Sequence, residues 1–198
     1  MDWRTFIKSH LEGIAATDLF TVEVLTLVGL VRYHVMFVID VATRRVHIGG
    51  ISSAPNGQWM KNIFRDLANP IDGFLKGKRY LLHDRDRLYT DEALAFLDDI
   101  DVEQKKLPPS SPNLNAHAER FILTIRNEAL NKIIPLGEAH LRKIVTEFVQ
   151  HYHKERPHQG LDNTIIEPSD DKAANDDGEI LCRERLGGVL KYYYRKAA

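Results

Sequence analysis

The chain has 198 residues, 43% of them apolar, with a formal net charge of -1 and a single cysteine, Cys182. That length and composition allow one sizeable core, or one domain with an appendage. They exclude an internal disulfide and a zinc site of the usual four-ligand His-and-Cys kind. No apolar run approaches the roughly 20 residues needed to cross a bilayer, so no membrane partner is expected. The opening MDWRTFIKSHLEG lacks the charge, apolar core and small-residue order of a signal peptide, and a cytoplasmic protein is expected.

In chain order, residues 1–14 read as a short leading helical segment with Trp3 and Phe6 as packing residues. DLFTVEV (18–24), YHVMFVIDV (33–41) and VHIGGI (46–51) are rich in β-branched and aromatic residues. Short connections between them predict an antiparallel meander. In QWMKNIFRDLANPI, Trp59 or Met60 with Ile63, Phe64 and Leu67 keeps helical spacing until Pro70. RYLLHD (79–84) is a short apolar strand. Thr90 is a candidate N-cap for a helix presenting Ala93, Phe96, Leu97 and Ile100. VEQKKLP (102–108) then reads as an edge strand, which Lys105 and Lys106 would suit. After the irregular loop PPSSPNLN comes a helix over about 115–134, started by Asn113 or Asn115 as cap, and after Gly137 a second helix that Pro157 ends. Strands first, then strand and helix in turn, predict an α/β fold with a mixed sheet covered by helices.

The near-neutral net charge conceals an asymmetry. Residues 164–179 carry six acids and one base, a net of -5, so the rest of the chain carries +4. We read 164–179 as an acidic linker and 180–198 as a basic, aromatic C-terminal tail. The mildly basic remainder is compatible with a nucleic-acid partner and does not require one.

Three carboxylates then draw together. Asp18 opens a strand that otherwise favours apolar company, where a carboxylate loses hydration unless something positive compensates. By itself it could pair with an arginine. Asp84 follows YLLH, at the strand end where α/β sheets place chemistry, although HDRDR could be only a charged turn. Glu119 lies in the first turn of a helix, where the helix dipole favours acids regardless of function. Three converging carboxylates would repel one another unless cations sat among them, and hard oxygen ligands of this kind suit Mg²⁺ or Mn²⁺. A pair of such ions about 3.5 to 4 Å apart stabilises both the attacking and leaving oxygens of phosphoryl transfer.

The order of Asp18 in ATDLFTVEV, Asp84 in LLHDRDRLYT and Glu119 in PNLNAHAERF resembles the D,D,E triad of the integrase core shared by retroviral integrases and insertion-sequence transposases. RFILTIRNEAL and YHKERPHQGL (152–161) extend the likeness, which covers about residues 15–168. The resemblance implies a ribonuclease H-like fold with a five-stranded mixed sheet and helices on both faces, with the catalytic core over 15–163. It implies Asp18, Asp84 and Glu119 as catalytic metal ligands for Mg²⁺ or Mn²⁺, with the loop of Pro108, Pro109, Ser110, Ser111 and Pro112 beside the DNA strand being cut. The implied activity is hydrolysis at DNA ends followed by transfer of the freed 3′-OH into target DNA, by a homo-oligomer assembled on DNA. A catalytically silent DNA-binding or assembly module, or a ribonuclease H-type nuclease of RNA–DNA hybrids, remains as an alternative.

This sequence departs from the family pattern in having an acid, Asp86, where many members have glycine; Tyr89 and Thr90 match the aromatic-Thr pair that follows, a register favouring Asp84 as ligand. Full transposases of this type carry a helix-turn-helix region ahead of the core, and without one the recognition of specific ends is expected to be poor. Asp40 is expected to pair with Arg44 or Arg45, and Glu128 to lie too far along its helix to share the ions. Lys105, Lys106, Asn115, His117, Arg120, Arg126 and Arg156 are the candidate DNA contacts, against the alternative that they are solvated or internally paired charges.

Overall fold

The computed structural model describes residues 3–107, 115–168 and 179–195. Three long apolar stretches become the strands β1 (Ile14–Thr26), β2 (Gly29–Asp40) and β3 (Val46–Ser52); the short strands β4 (Tyr80–His83) and β5 (Glu103–Lys106) follow. They form one sheet in the order β3-β2-β1-β4-β5. Only Leu27 and Val28 separate β1 from β2, a connection too short for any but an antiparallel pair. β2 and β3 are antiparallel, while β1 runs parallel to β4 and β4 to β5. The sheet is therefore mixed, the ribonuclease H-like architecture that the sequence led us to expect.

Strand side chains alternate between faces. On one face Ala15, Met36, Val38 and Leu81 join side chains of α2 (Gly57–Leu67) and α3 (Asp91–Leu94, continued as a 3-10 turn to Ile100) in a single buried cluster. Met60, Ile63, Phe64 and Leu67 form the inward side of α2, and the Asn56 side chain caps it by accepting the Trp59 N–H at 2.8 Å. β3 admits this helix because Gly49 and Gly50 lack a Cβ: one at Gly50 would lie 2.8 Å from Ile63 and 2.9 Å from Trp59. Thr90 caps α3 as expected, accepting from the Ala93 N–H. On the other face Phe37 packs between Phe20 and Phe121, the latter on α4 (Ala116–Ile125), with ring centroids 6.1 and 4.7 Å away. Phe37 and Phe121 are fully buried, each contributing about 1.5–3 kcal/mol through lost water contact.

The leading helix α1 (Trp3–His10) sets Phe6 edge-on to Tyr80 at 5.0 Å; the Trp3 side chain lies outside what is described. The expected 115–134 helix is shorter and irregular, passing from α4 into a π-helical turn over Arg126–Leu130. α5 (Gly137–Lys154) follows, and residues 180–195 form an antiparallel hairpin of β6 (Ile180–Arg185) and β7 (Leu190–Arg195). The described residues gather into two compact units, the first within Met1–Glu23 and Leu30–Leu123, the second within Val24–Gly29 and Thr124–Ala198.

Candidate active site

Asp18, Asp84 and Glu119 all belong to the first unit. Paired residues of β1 and β4 run from Ile14 and Tyr80 to Ala16 and Leu82. Continued by two positions, that register sets Asp18 beside Asp84, and the two-residue period turns both toward the Phe37–Phe121 face. The third acid arrives by helix. Asn115 precedes α4, and its side-chain Nδ2 donates to Asp18 Oδ2 at 3.5 Å. Glu119 lies one turn further on, its N–H bonded to the Asn115 carbonyl at 3.0 Å, so it projects from the same side of the helix.

The electrostatics agree with this placement. Burial pushes the Asp18 carboxyl up to about 6, the charges of Asp84, Glu119 and Asp86 add to the rise in that order, and the Leu19 N–H, donating at 2.8 Å, opposes it. Asp84 accepts the Asp86 N–H at 3.0 Å, and Asp86 in turn accepts the Leu88 N–H at 2.8 Å. Asp86 thus shapes the turn that carries Asp84, and of the three acids acting on Asp18 it acts least.

The donor set is one of hard oxygens. Beside the three carboxylates, Asn115 Oδ1 is buried without a hydrogen-bond partner, a costly state for an amide oxygen and one that a cation would relieve. Asn115 consequently does not cap α4, contrary to expectation; Asn113 and the loop of Pro108 to Pro112 lie outside the described residues. Among the described residues no group of three or more His, Cys, Asp or Glu is gathered tightly enough to hold a metal ion.

The basic candidates divide between the two units. Lys105 pairs with Glu103 and lies over the Tyr80 ring at 5.4 Å, while Lys106 is exposed on β5. His117 is half-buried, and burial with the charge of Arg44 pushes its imidazole down to about 4, so it is neutral at physiological pH. Arg120 is exposed on α4. In the second unit Arg126 is exposed at the start of the π turn, and Arg156 donates two Nε and Nη bonds of 2.9 to 3.1 Å to Glu128 across 28 positions. Asp40 pairs with Lys78 at 2.7 Å, and its other oxygen accepts the Ala42 and Thr43 N–H groups of the turn.

One contact beneath the acids, between Thr17 and Tyr89, was not foreseen from the sequence. Thr17, fully buried, donates to the Phe37 carbonyl at 2.8 Å and lies 3.3 Å from the Tyr89 hydroxyl. The signal was a single threonine in an apolar strand, which offers no hint of a partner 72 positions away.

A mixed five-stranded sheet of this order, with helices on both faces, defines a ribonuclease H-like fold. Residues 100–164 match the family model described as "Integrase core domain". Among solved structures, the HTLV-2 integrase catalytic core domain in complex with magnesium, in its dimeric form, matches with a TM-score of 0.57 at 10% identity, covering 78% of this chain and 93% of that one. A simian T-cell lymphotropic virus intasome, solved in complex with the PP2A regulatory subunit B56 gamma, matches with a TM-score of 0.55 at 11% identity, covering 93% of this chain and 66% of that one. No curated protein matches the sequence. The match to the integrase core model spans a third of the chain, and the fold is that of the retroviral integrase catalytic cores it resembles.

Proposed function

We propose that the chain is the catalytic core of a DNA transposase or integrase, breaking and joining phosphodiester bonds at DNA ends. The observation that carries this reading is that Asn115, one helical turn before Glu119, donates to Asp18 on β1, with Asp84 following the parallel strand β4. Asp18, Asp84 and Glu119 would hold Mg²⁺ or Mn²⁺, which when bound neutralises the carboxylates and supplies charge stabilisation to phosphoryl transfer. The magnesium of the HTLV-2 integrase core supports that choice of ion. The protein's own part is positional. The parallel register, which pairs Ala16 with Leu82, supports a position for Asp18 near Asp84 two residues on; Asn115 ties the start of α4 to Asp18, and Glu119 would complete the set from the next turn. No nucleophilic side chain is required. The exposed Lys106 and Arg120, with His117, Asn115, Lys105, Arg126 and Arg156, are the proposed contacts for a phosphate backbone. Assembly as a homo-oligomer on DNA is proposed by analogy with the dimeric and intasome neighbours.

The test uses short DNA duplexes with Mn²⁺. Asp84→Asn or Glu119→Gln is expected to lower nicking and strand transfer by about a hundredfold or more, the loss that several kcal/mol of transition-state stabilisation represents. Asp86→Asn retains most activity. Equal residual activity in wild type and both ligand variants would instead favour a second reading, a DNA-binding or assembly module of the same fold without catalysis. That reading draws on the looseness of the acids, which nowhere among the described residues close into a metal-holding group. Faster cleavage of RNA–DNA hybrid than of duplex DNA would point to a ribonuclease H-type nuclease.

A further inference from the structure

We infer that Tyr89 is a positioning residue for the site: its hydroxyl and ring tie β1 to β4 from behind, at the level where the ladder between them ends, and so fix the separation of Asp18 and Asp84. The inference rests on the metal-site reading above for its functional consequence, though the tie itself does not.

The last paired residues of the two strands are Ala16 and Leu82. Beyond them come Thr17 and His83, then the two acids. Thr17 and His83 point to the face opposite the acids, and Tyr89 meets both there. Its hydroxyl lies 3.3 Å from Thr17 Oγ1, and its ring packs on the His83 imidazole with centroids 4.8 Å apart. Thr17 gives its one hydroxyl hydrogen to the Phe37 carbonyl, so Tyr89 is the donor in the pair. The three side chains are all buried. Burial holds the phenol well above its ordinary range, so it keeps that proton at any working pH. His83 is anchored on its other side by Gln104 of β5, 3.3 Å from its Nε2. The residues preceding each acid are thereby held through one aromatic side chain. Tyr89 is itself fixed by the turn at Asp86, whose carbonyl accepts the Tyr89 N–H at 3.1 Å, and by Phe64 of α2 edge-on at 6.2 Å.

Tyr89→Phe keeps the ring and removes only the hydroxyl. Amide hydrogen exchange of the metal-free protein is expected to quicken about tenfold at residues 17, 18, 83 and 84, the opening that loss of one neutral hydrogen bond permits, with the other amides of the sheet unchanged. The Mn²⁺ concentration at half-saturation, read by water-proton relaxation, is expected to rise about fivefold, by the same weakening shared over two ligands. Thr17→Ser keeps the acceptor and should behave as wild type, whereas Thr17→Val should reproduce Tyr89→Phe and add little to it in the double variant. Unchanged exchange at those four amides, or a uniform rise across the sheet with a fall in melting temperature, would overturn the tie. Local exchange that quickens while Mn²⁺ half-saturation stays at the wild-type value would overturn the positioning role. Failure of the wild type to take up Mn²⁺ would reject the metal-site reading and with it the positioning role, leaving the tie to be judged by exchange alone.

Discussion

A carboxylate that feels two others is a cost to the fold, and at Asp18 that cost has a sign and a pH window. The carboxyl rises from its ordinary value of 3.8 to about 6, so between these limits the folded chain holds a proton that the unfolded chain has released. Stability from this group is full below about pH 4 and falls as pH rises to about 6, beyond which the folded state carries an uncompensated charge worth up to about 3 kcal/mol. Thermal melts of the metal-free protein between pH 4 and 8 should show this decline, and Asp18→Asn should flatten it and melt higher than wild type at pH 7. Mn²⁺ should raise the melting temperature of the wild type and leave Asp18→Asn nearly unmoved. At this scale the strand and helix positions of the three acids were legible in the sequence because strand and helix context are local properties. The Lys78 partner of Asp40 and the Tyr89 partner of Thr17 were not, since each pairing is made by tertiary approach of positions 38 and 72 apart.

Among the elements, the C-terminal hairpin departs furthest from its reading as a basic aromatic tail. Its alternation was present in LCRER and LKYYYR, separated by LGGV, in which Gly187 and Gly188 take positive φ angles of 66° and 88° that make the turn. The register puts Arg183, Arg185, Tyr192 and Tyr194 on one face. There Arg185 reaches Glu155 at the end of α5 with bonds of 2.8 to 3.0 Å, and Glu147 at 2.8 Å; His151 adds 2.9 Å to the same buried carboxylate. Burial by itself would raise Glu155, yet Arg185 and His151 hold it below its ordinary 4.5. The stabilisation is therefore present above pH 4.5 and lost as pH falls through the lower folded value. Arg185→Met strands a charge in the interior and should destabilise the protein by about 3 kcal/mol in urea titrations, with faster proteolysis within 180–195; adding Glu155→Gln should recover part of the loss. Two of the basic residues of that tail, Arg183 and Arg185, are here ligands of one buried glutamate. The π turn after α4 was equally hidden, because RFILTIRNEAL reads as unbroken helix and the Arg156 fork that grips Glu128 comes from 28 residues later.

For the molecule as a whole, the antiparallel meander and the mixed sheet were legible from the run of strands before alternating strand and helix, whereas the order β3-β2-β1-β4-β5 needed the structure. Charge is the whole-molecule property that bears most on the proposed partner. Six acids within 164–179 bring the chain from a basic remainder to a net of -1, and long-range attraction to DNA depends on the total field as well as on the contact surface. Replacing those six by their amides shifts the formal net charge from -1 to +5 without altering any candidate site residue. The variant should bind a nonspecific duplex about tenfold or more tightly near 50 mM salt, and the difference should shrink toward nothing by about 0.5 M as the Debye length falls below the span between segment and DNA. The slope of log affinity against log salt should stay the same if the acids act only through the field. It should steepen if they occupy phosphate-binding lysines and arginines in the free protein, because each cation released to a phosphate adds close to one unit to the slope. Anisotropy titrations at four or five salt concentrations distinguish the two, and a variant that binds no better at low salt would remove the concealed basic surplus from the case for a DNA partner.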